Sequence, residues 1–166
     1  MFRTAIALTL LAGPALAEAH VPMAAQVAMA DGTSVGTVTL TPTASGIVLV
    51  ELDLSGLPEG AVHGMHIHET GDCSAEDFSS AGGHLADGRE HGYEAEGGPH
   101  PGDLPNTTVS SDGRVQVTYP NHLLTMEMVA DADGSAFIVH SGTDDYESQP
   151  AGDAGDRIAC GVFGAV

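Results

Sequence analysis

The sequence contains no tryptophan, and its aromatic residues are three tyrosines and four phenylalanines. It also contains no lysine: the four basic residues are all arginine, set against 23 acidic residues, for a formal net charge of -19. This balance argues against nucleic acid and anionic membrane surfaces as partners, because both attract clustered cations. The acidity is read most simply as a solvated surface. No apolar run approaches the roughly 18 residues of a membrane span, and no repeat, low-complexity segment or linker divides residues 20–166.

What is present begins with an address. Arg3, the apolar stretch 5–11 and the small-x-small triplet Ala15-Leu16-Ala17 form an expected secretory signal over residues 1–19, cut after Ala17 or Ala19. The remaining residues, 20–166, are long enough for one domain with a core. A cut after Ala19 would expose His20 as an N-terminal copper chelate, a reading that leaves the other histidines unused. In an exported chain the two cysteines, Cys73 and Cys160, admit a single pairing, whose loop closure is worth roughly 4 to 5 kcal/mol. The alternative is a pair of buried free thiols.

Alternating apolar residues predict strands over 26–29, 35–40, 46–54 (Val48, Val50, Leu52 and Leu54 in phase), 115–119, 126–130, 136–140 and 158–163, besides one through the histidines at 63–68. Asp31-Gly32, Ser45-Gly46, Asp112-Gly113 and Asp133-Gly134 supply turns. The pattern predicts an all-β fold, an eight-stranded Greek-key β-sandwich or flattened barrel. Two irregular stretches, 70–108 and 141–156, interrupt it. The first is far longer than a compact domain ordinarily allows, so something other than a core must hold it.

That stretch carries His84, His91, His100 and Asp103, and the strands carry the rest of the set. His66 and His68 are two positions apart in a strand, so both imidazoles project from one face toward a single ion. His63 is out of that phase and is expected behind the site, hydrogen-bonded to backbone. His91, His100 and Asp103 suit tetrahedral zinc, whereas His66, His68 and His140 form an all-imidazole set suited to copper. Seven ligands cannot fill two four-coordinate sites unless one is shared, and His84 is the natural bridge. His20 and His122 have no partner in this scheme.

The segments His63-Gly-Met-His-Ile-His68-Glu, Gly71-Asp-Cys73, Ala81-Gly-Gly-His84, His100-Pro-Gly-Asp103-Leu, Phe137-Ile-Val-His140 and Gly155-Asp-Arg157-Ile-Ala-Cys160-Gly-Val together resemble the copper/zinc superoxide dismutase family. The short stretch between His140 and Arg157 resembles its bacterial periplasmic branch. The resemblance implies copper on His66, His68, His84 and His140, and zinc on His84, His91, His100 and Asp103. It further implies the disulfide Cys73 to Cys160, an active-site arginine at Arg157, and Asp144 as the carboxylate joining a copper-ligand histidine to a zinc-ligand histidine.

The implied reaction is dismutation of superoxide to dioxygen and hydrogen peroxide by redox-cycling copper, with one zinc per subunit in a structural role and His84 carrying a proton. The competing reading is a non-catalytic periplasmic copper/zinc-binding or copper-delivery protein on the same scaffold; a complete ligand set with Arg157 favours the enzyme. Superoxide is the expected substrate partner. The expectations also include no nucleic acid, no membrane after signal cleavage, and a monomer or homodimer. The acidic chain can still attract this anion. Two divalent ions and Arg157 outweigh the bridging imidazolate, Asp103 and Asp144, and distant carboxylates are screened beyond a Debye length of about 8 to 10 Å.

Overall fold

Alternation along the chain decides which face each strand buries. In β3 (Val48–Ser55) Val48, Val50, Leu52 and Leu54 are buried, and Glu51 and Asp53 are exposed between them. Each such aliphatic side chain contributes roughly 1.5 to 3 kcal/mol when fully withdrawn from water. The computed structural model describes residues 21–166; the expected signal segment and His20 lie outside the described residues.

β1 (Met23–Met29), β2 (Ser34–Pro42), β3, β5 (Met65–His68), β7 (Arg114–Asn121), β8 (Ala136–His140) and β9 (Arg157–Ala165) form one curled antiparallel sheet in the order β5-β8-β9-β1-β2-β3-β7. β4 (Val62–His63) pairs separately with β6 (Thr107–Thr108). The chain passes from β3 to β5 at the far edge, and from β7 at the opposite edge back to β8. Those crossings give the expected all-β flattened barrel, which closes over a core that includes Val38, Leu40, Val50, Leu54, Met65, Ile67, Leu104, Phe137 and Val139.

Both sheet edges are blunted. β7 carries Pro120, which an edge strand tolerates. Beside β5, the Ile67 amide donates to the Gly102 carbonyl at 2.8 Å and the Leu85 amide to the Ile67 carbonyl at 2.9 Å. Segments of the long loop thus cover an edge that would otherwise template association. Within that loop a 3₁₀ turn spans Ser79–Ala81. Among the described residues no helix is long and apolar enough to cross a membrane.

Residues 126–130, expected as a strand, instead form a one-turn helix, α1 (Met126–Val129). Thr125 caps it, its hydroxyl accepting from the Met128 amide at 3.3 Å. Just upstream, Asn121 Oδ1 accepts from the Leu123 and Leu124 amides and turns the chain away from the sheet. Alternation over five residues did not distinguish a strand from one turn packed on the core through Val129.

Candidate metal centre

β5 places His66 and His68 on one face while Met65 and Ile67 on the other enter the core. β8 delivers His140 from the neighbouring strand, where the ladder shifts register between Val139 and His140. Two isolated bridges, His66 with Asp103 and His68 with His84, stitch the long loop alongside. His63 is buried out of phase, and its Nδ1 donates to the His140 carbonyl at 2.7 Å.

Each of four histidines has one ring nitrogen engaged. His66 Nε2 donates to Asp144 Oδ2 at 2.7 Å, His68 Nδ1 to the Gly82 carbonyl at 3.0 Å, and His140 Nδ1 to the Gly155 carbonyl at 3.2 Å. His84 Nδ1 lies 2.9 Å from Asp103 Oδ1. Their other nitrogens, His66 Nδ1, His68 Nε2, His84 Nε2 and His140 Nε2, are buried without a hydrogen-bond partner among the described residues. The four residues offer ligand atoms within 4.8 Å of one another. A cluster of orphaned, inward-facing imidazole nitrogens is unfavourable by itself and is what a soft divalent ion satisfies.

A second group shares His84. The Nδ1 atoms of His84, His91 and His100 lie 2.9, 3.2 and 3.2 Å from Asp103 Oδ1. The Gly92 and His100 amides donate to Asp103 Oδ2 at 2.9 and 3.0 Å, so backbone orients the carboxylate and leaves Oδ1 toward the imidazoles. His84, His91, His100 and Asp103 again fall within 4.8 Å of one another. His100 Nε2 is held by the Arg89 carbonyl at 3.1 Å. Asp144 links the groups, accepting from His66 on one oxygen and from His91 Nε2, at 3.0 Å, on the other.

Electrostatics follow from burial against pairing. Burial lowers His66 to about 3, His68 to about 2 and His140 to about 4, and it lowers His84 as well. For His91 burial also pulls downward, but the Asp103 and Asp144 carboxylates overcome it and raise the imidazole to about 9. Burial would raise both carboxylates. Hydrogen bonds from His84 and His91 instead hold Asp103, and those from His66 and His91 hold Asp144, well below the usual carboxylate range.

Arg157 stands at the start of β9. Its guanidinium donates to the Phe78 and Gly82 carbonyls, each at 2.7 Å, and Gly82 is also the acceptor for His68. Cys73 and Cys160 form a disulfide across 87 residues of sequence. His122 is exposed. The sequence reading did not single out Asn106 or Gln149. Asn106 Nδ2 donates to the Asp144 carbonyl at 2.7 Å while its Oδ1 accepts the Asp144 amide at 2.9 Å. Gln149 makes the equivalent pair of contacts with His91. Spans of 38 and 58 residues leave no local signal for either contact.

The sequence model of copper/zinc superoxide dismutase (SODC) matches residues 34–163. The chain belongs to the copper/zinc superoxide dismutase family. A copper-zinc superoxide dismutase of Aquifex aeolicus is 42% identical over 139 residues, 80% of this chain and 81% of its own. That of Caulobacter vibrioides is 40% identical over 141 residues, 80% of each chain. Among solved structures, a superoxide dismutase-like protein from Bacillus subtilis superposes with a TM-score of 0.78 at 37% identity, covering 84% of this chain and 96% of that one. The dismutase of Brucella abortus gives 0.68 at 29%, covering 85% and 98%. The chain is an oxidoreductase that acts on superoxide, and copper and zinc are its cofactors. The orphaned nitrogens and the carboxylate-bearing cluster fit such a pair of ions.

Proposed function

We propose that dismutation runs on copper held by His66, His68, His84 and His140, joined through the His84 ring to zinc held by His84, His91, His100 and Asp103. The observation that carries this reading is that His84 turns one ring nitrogen to each of two four-residue clusters. Ligand type assigns the ions: four imidazoles suit copper, and three imidazoles with a carboxylate suit zinc. Bound copper supplies a one-electron couple, so that one superoxide is oxidised to dioxygen and a second, with two protons, is reduced to hydrogen peroxide.

The residues of the chain do the rest. Asp144, Gly82 and Gly155 fix the tautomers of His66, His68 and His140, each leaving one nitrogen free. His84 Nε2, buried with no hydrogen-bond partner among the described residues, can carry either the ion or a proton, and when it carries the proton it would supply it to the peroxide. Arg157, anchored by two carbonyls, keeps further N–H groups for an oxyanion. The disulfide supports an oxidising compartment, and with the segment 1–19 it supports export to the periplasm.

Two comparisons test the assignment. Adding zinc to the copper-only protein should change the copper(II) electron paramagnetic resonance spectrum, because both ions share one imidazole. Arg157→Ala should lower the rate about tenfold or more, the scale of electrostatic focusing, with copper affinity unchanged. A spectrum indifferent to zinc would remove the shared ring, and a full rate in the variant would remove the role of Arg157.

A further inference from the structure

His91 sits in a stretch without regular secondary structure. No strand or helix spans 82–106 among the described residues, and Gly88, Gly92 and Gly97 all take positive φ there. Glycine gives such a segment conformational freedom that something else must remove. Part of it is removed by hydrogen bonds within 89–103, and part by the second irregular stretch, 141–156. The Glu94 amide donates to the Tyr146 carbonyl at 3.2 Å, and Gly92 lies so close to that carbonyl that a Cβ would collide with it.

From the docked loop Gln149 reaches the main chain of His91 with both ends of its amide. The His91 N–H donates to Gln149 Oε1 at 2.9 Å, and Gln149 Nε2 donates to the His91 carbonyl at 2.9 Å. These two contacts replace what a neighbouring strand would provide. Asp144 holds the far ring nitrogen, and Nδ1 is thereby left directed at Asp103 Oδ1.

We infer that Gln149 is a positioning residue for zinc, fixing the backbone of His91 so that its Nδ1 is already presented when the ion arrives. This rests on the assignment of zinc to His84, His91, His100 and Asp103. The coupling is reciprocal: zinc on His91 stabilises the docked state of 141–156, and the docked loop stabilises zinc. Gln149 is itself exposed, so replacing it opens no core cavity.

The test uses the metal-free chain with Gln149→Ala and Gln149→Glu. The second variant keeps an acceptor for the His91 N–H but sets an oxygen against the His91 carbonyl. Zinc affinity is read by competition with a chromophoric chelator, site geometry by the ligand-field spectrum of cobalt(II) bound in place of zinc, and stability by melting with and without zinc. The expected result is a zinc dissociation constant raised about ten- to a hundredfold, the scale of losing an outer partner of a ligand. The cobalt spectrum should shift, and Tm should fall further with zinc than without it. Unchanged affinity and spectrum, with Tm lowered equally in both forms, would overturn the inference by showing a purely structural contact. If the unaltered chain binds neither zinc nor cobalt at this cluster, the zinc assignment itself fails and the inference fails with it.

Discussion

A histidine becomes a usable ligand here because its second nitrogen is taken. Asp144, Gly82, Asp103 and Gly155 each engage one nitrogen of His66, His68, His84 and His140, and burial strips the other of water. The same arrangement sets how the metal-free protein responds to pH. His66, His68 and His140 stay neutral when folded, with values lowered from 6.5 to between about 2 and 4, so the unfolded chain takes up protons that the folded chain refuses. Their effect on stability is lost progressively as pH falls below about 6.5. His91 runs the other way: raised to about 9, it stabilises fully below 6.5, and that contribution disappears as pH rises through 9. Thermal unfolding of the metal-free protein should therefore show Tm highest near pH 6.5 to 7, falling steeply from pH 7 to 5 and gently from pH 7 to 9. A flat profile from pH 7 to 5 would contradict these assignments.

At the scale of elements, strands supply the frame and loops supply the chemistry. Cys73 ties the long loop to β9 three residues beyond Arg157, so the disulfide also fixes the carbonyls that the guanidinium grips. The bridge separates residues 87 apart in sequence. Loop-closure entropy makes it worth about 4 to 5 kcal/mol. The double substitution Cys73→Ala, Cys160→Ala should lower the unfolding free energy in urea by about that amount and reduce copper affinity; an unchanged midpoint would show the loop to be held by its metal ligands and hydrogen bonds alone. The frame was legible because Val48, Val50, Leu52 and Leu54 fall in phase and Met65 to His68 alternate. The clustering of residues 66, 68, 84, 91, 100, 103 and 140 was legible because histidine and aspartate in such a pattern stand out among few residue types. Helix α1 was missed because one capped turn carries too few residues to show a period. Asn106 and Gln149 were invisible because their partners are brought near only by loop docking.

For the whole molecule, a formal charge of -19 surrounds a site that must admit an anion. The charge is spread over exposed carboxylates such as Glu51, Asp53 and Asp145, whereas Asp103 and Asp144 are buried and saturated with hydrogen-bond donors. With a Debye length near 8 Å at physiological salt, most of those distant carboxylates are screened from the buried centre. The most direct test of this account is the rate of superoxide consumption by the purified protein loaded with copper and zinc, measured beside His140→Ala. Consumption far above that of free copper, nearly abolished by the substitution, is the predicted result. Tight copper binding with no consumption beyond free copper would contradict it and leave a metal carrier on a dismutase scaffold.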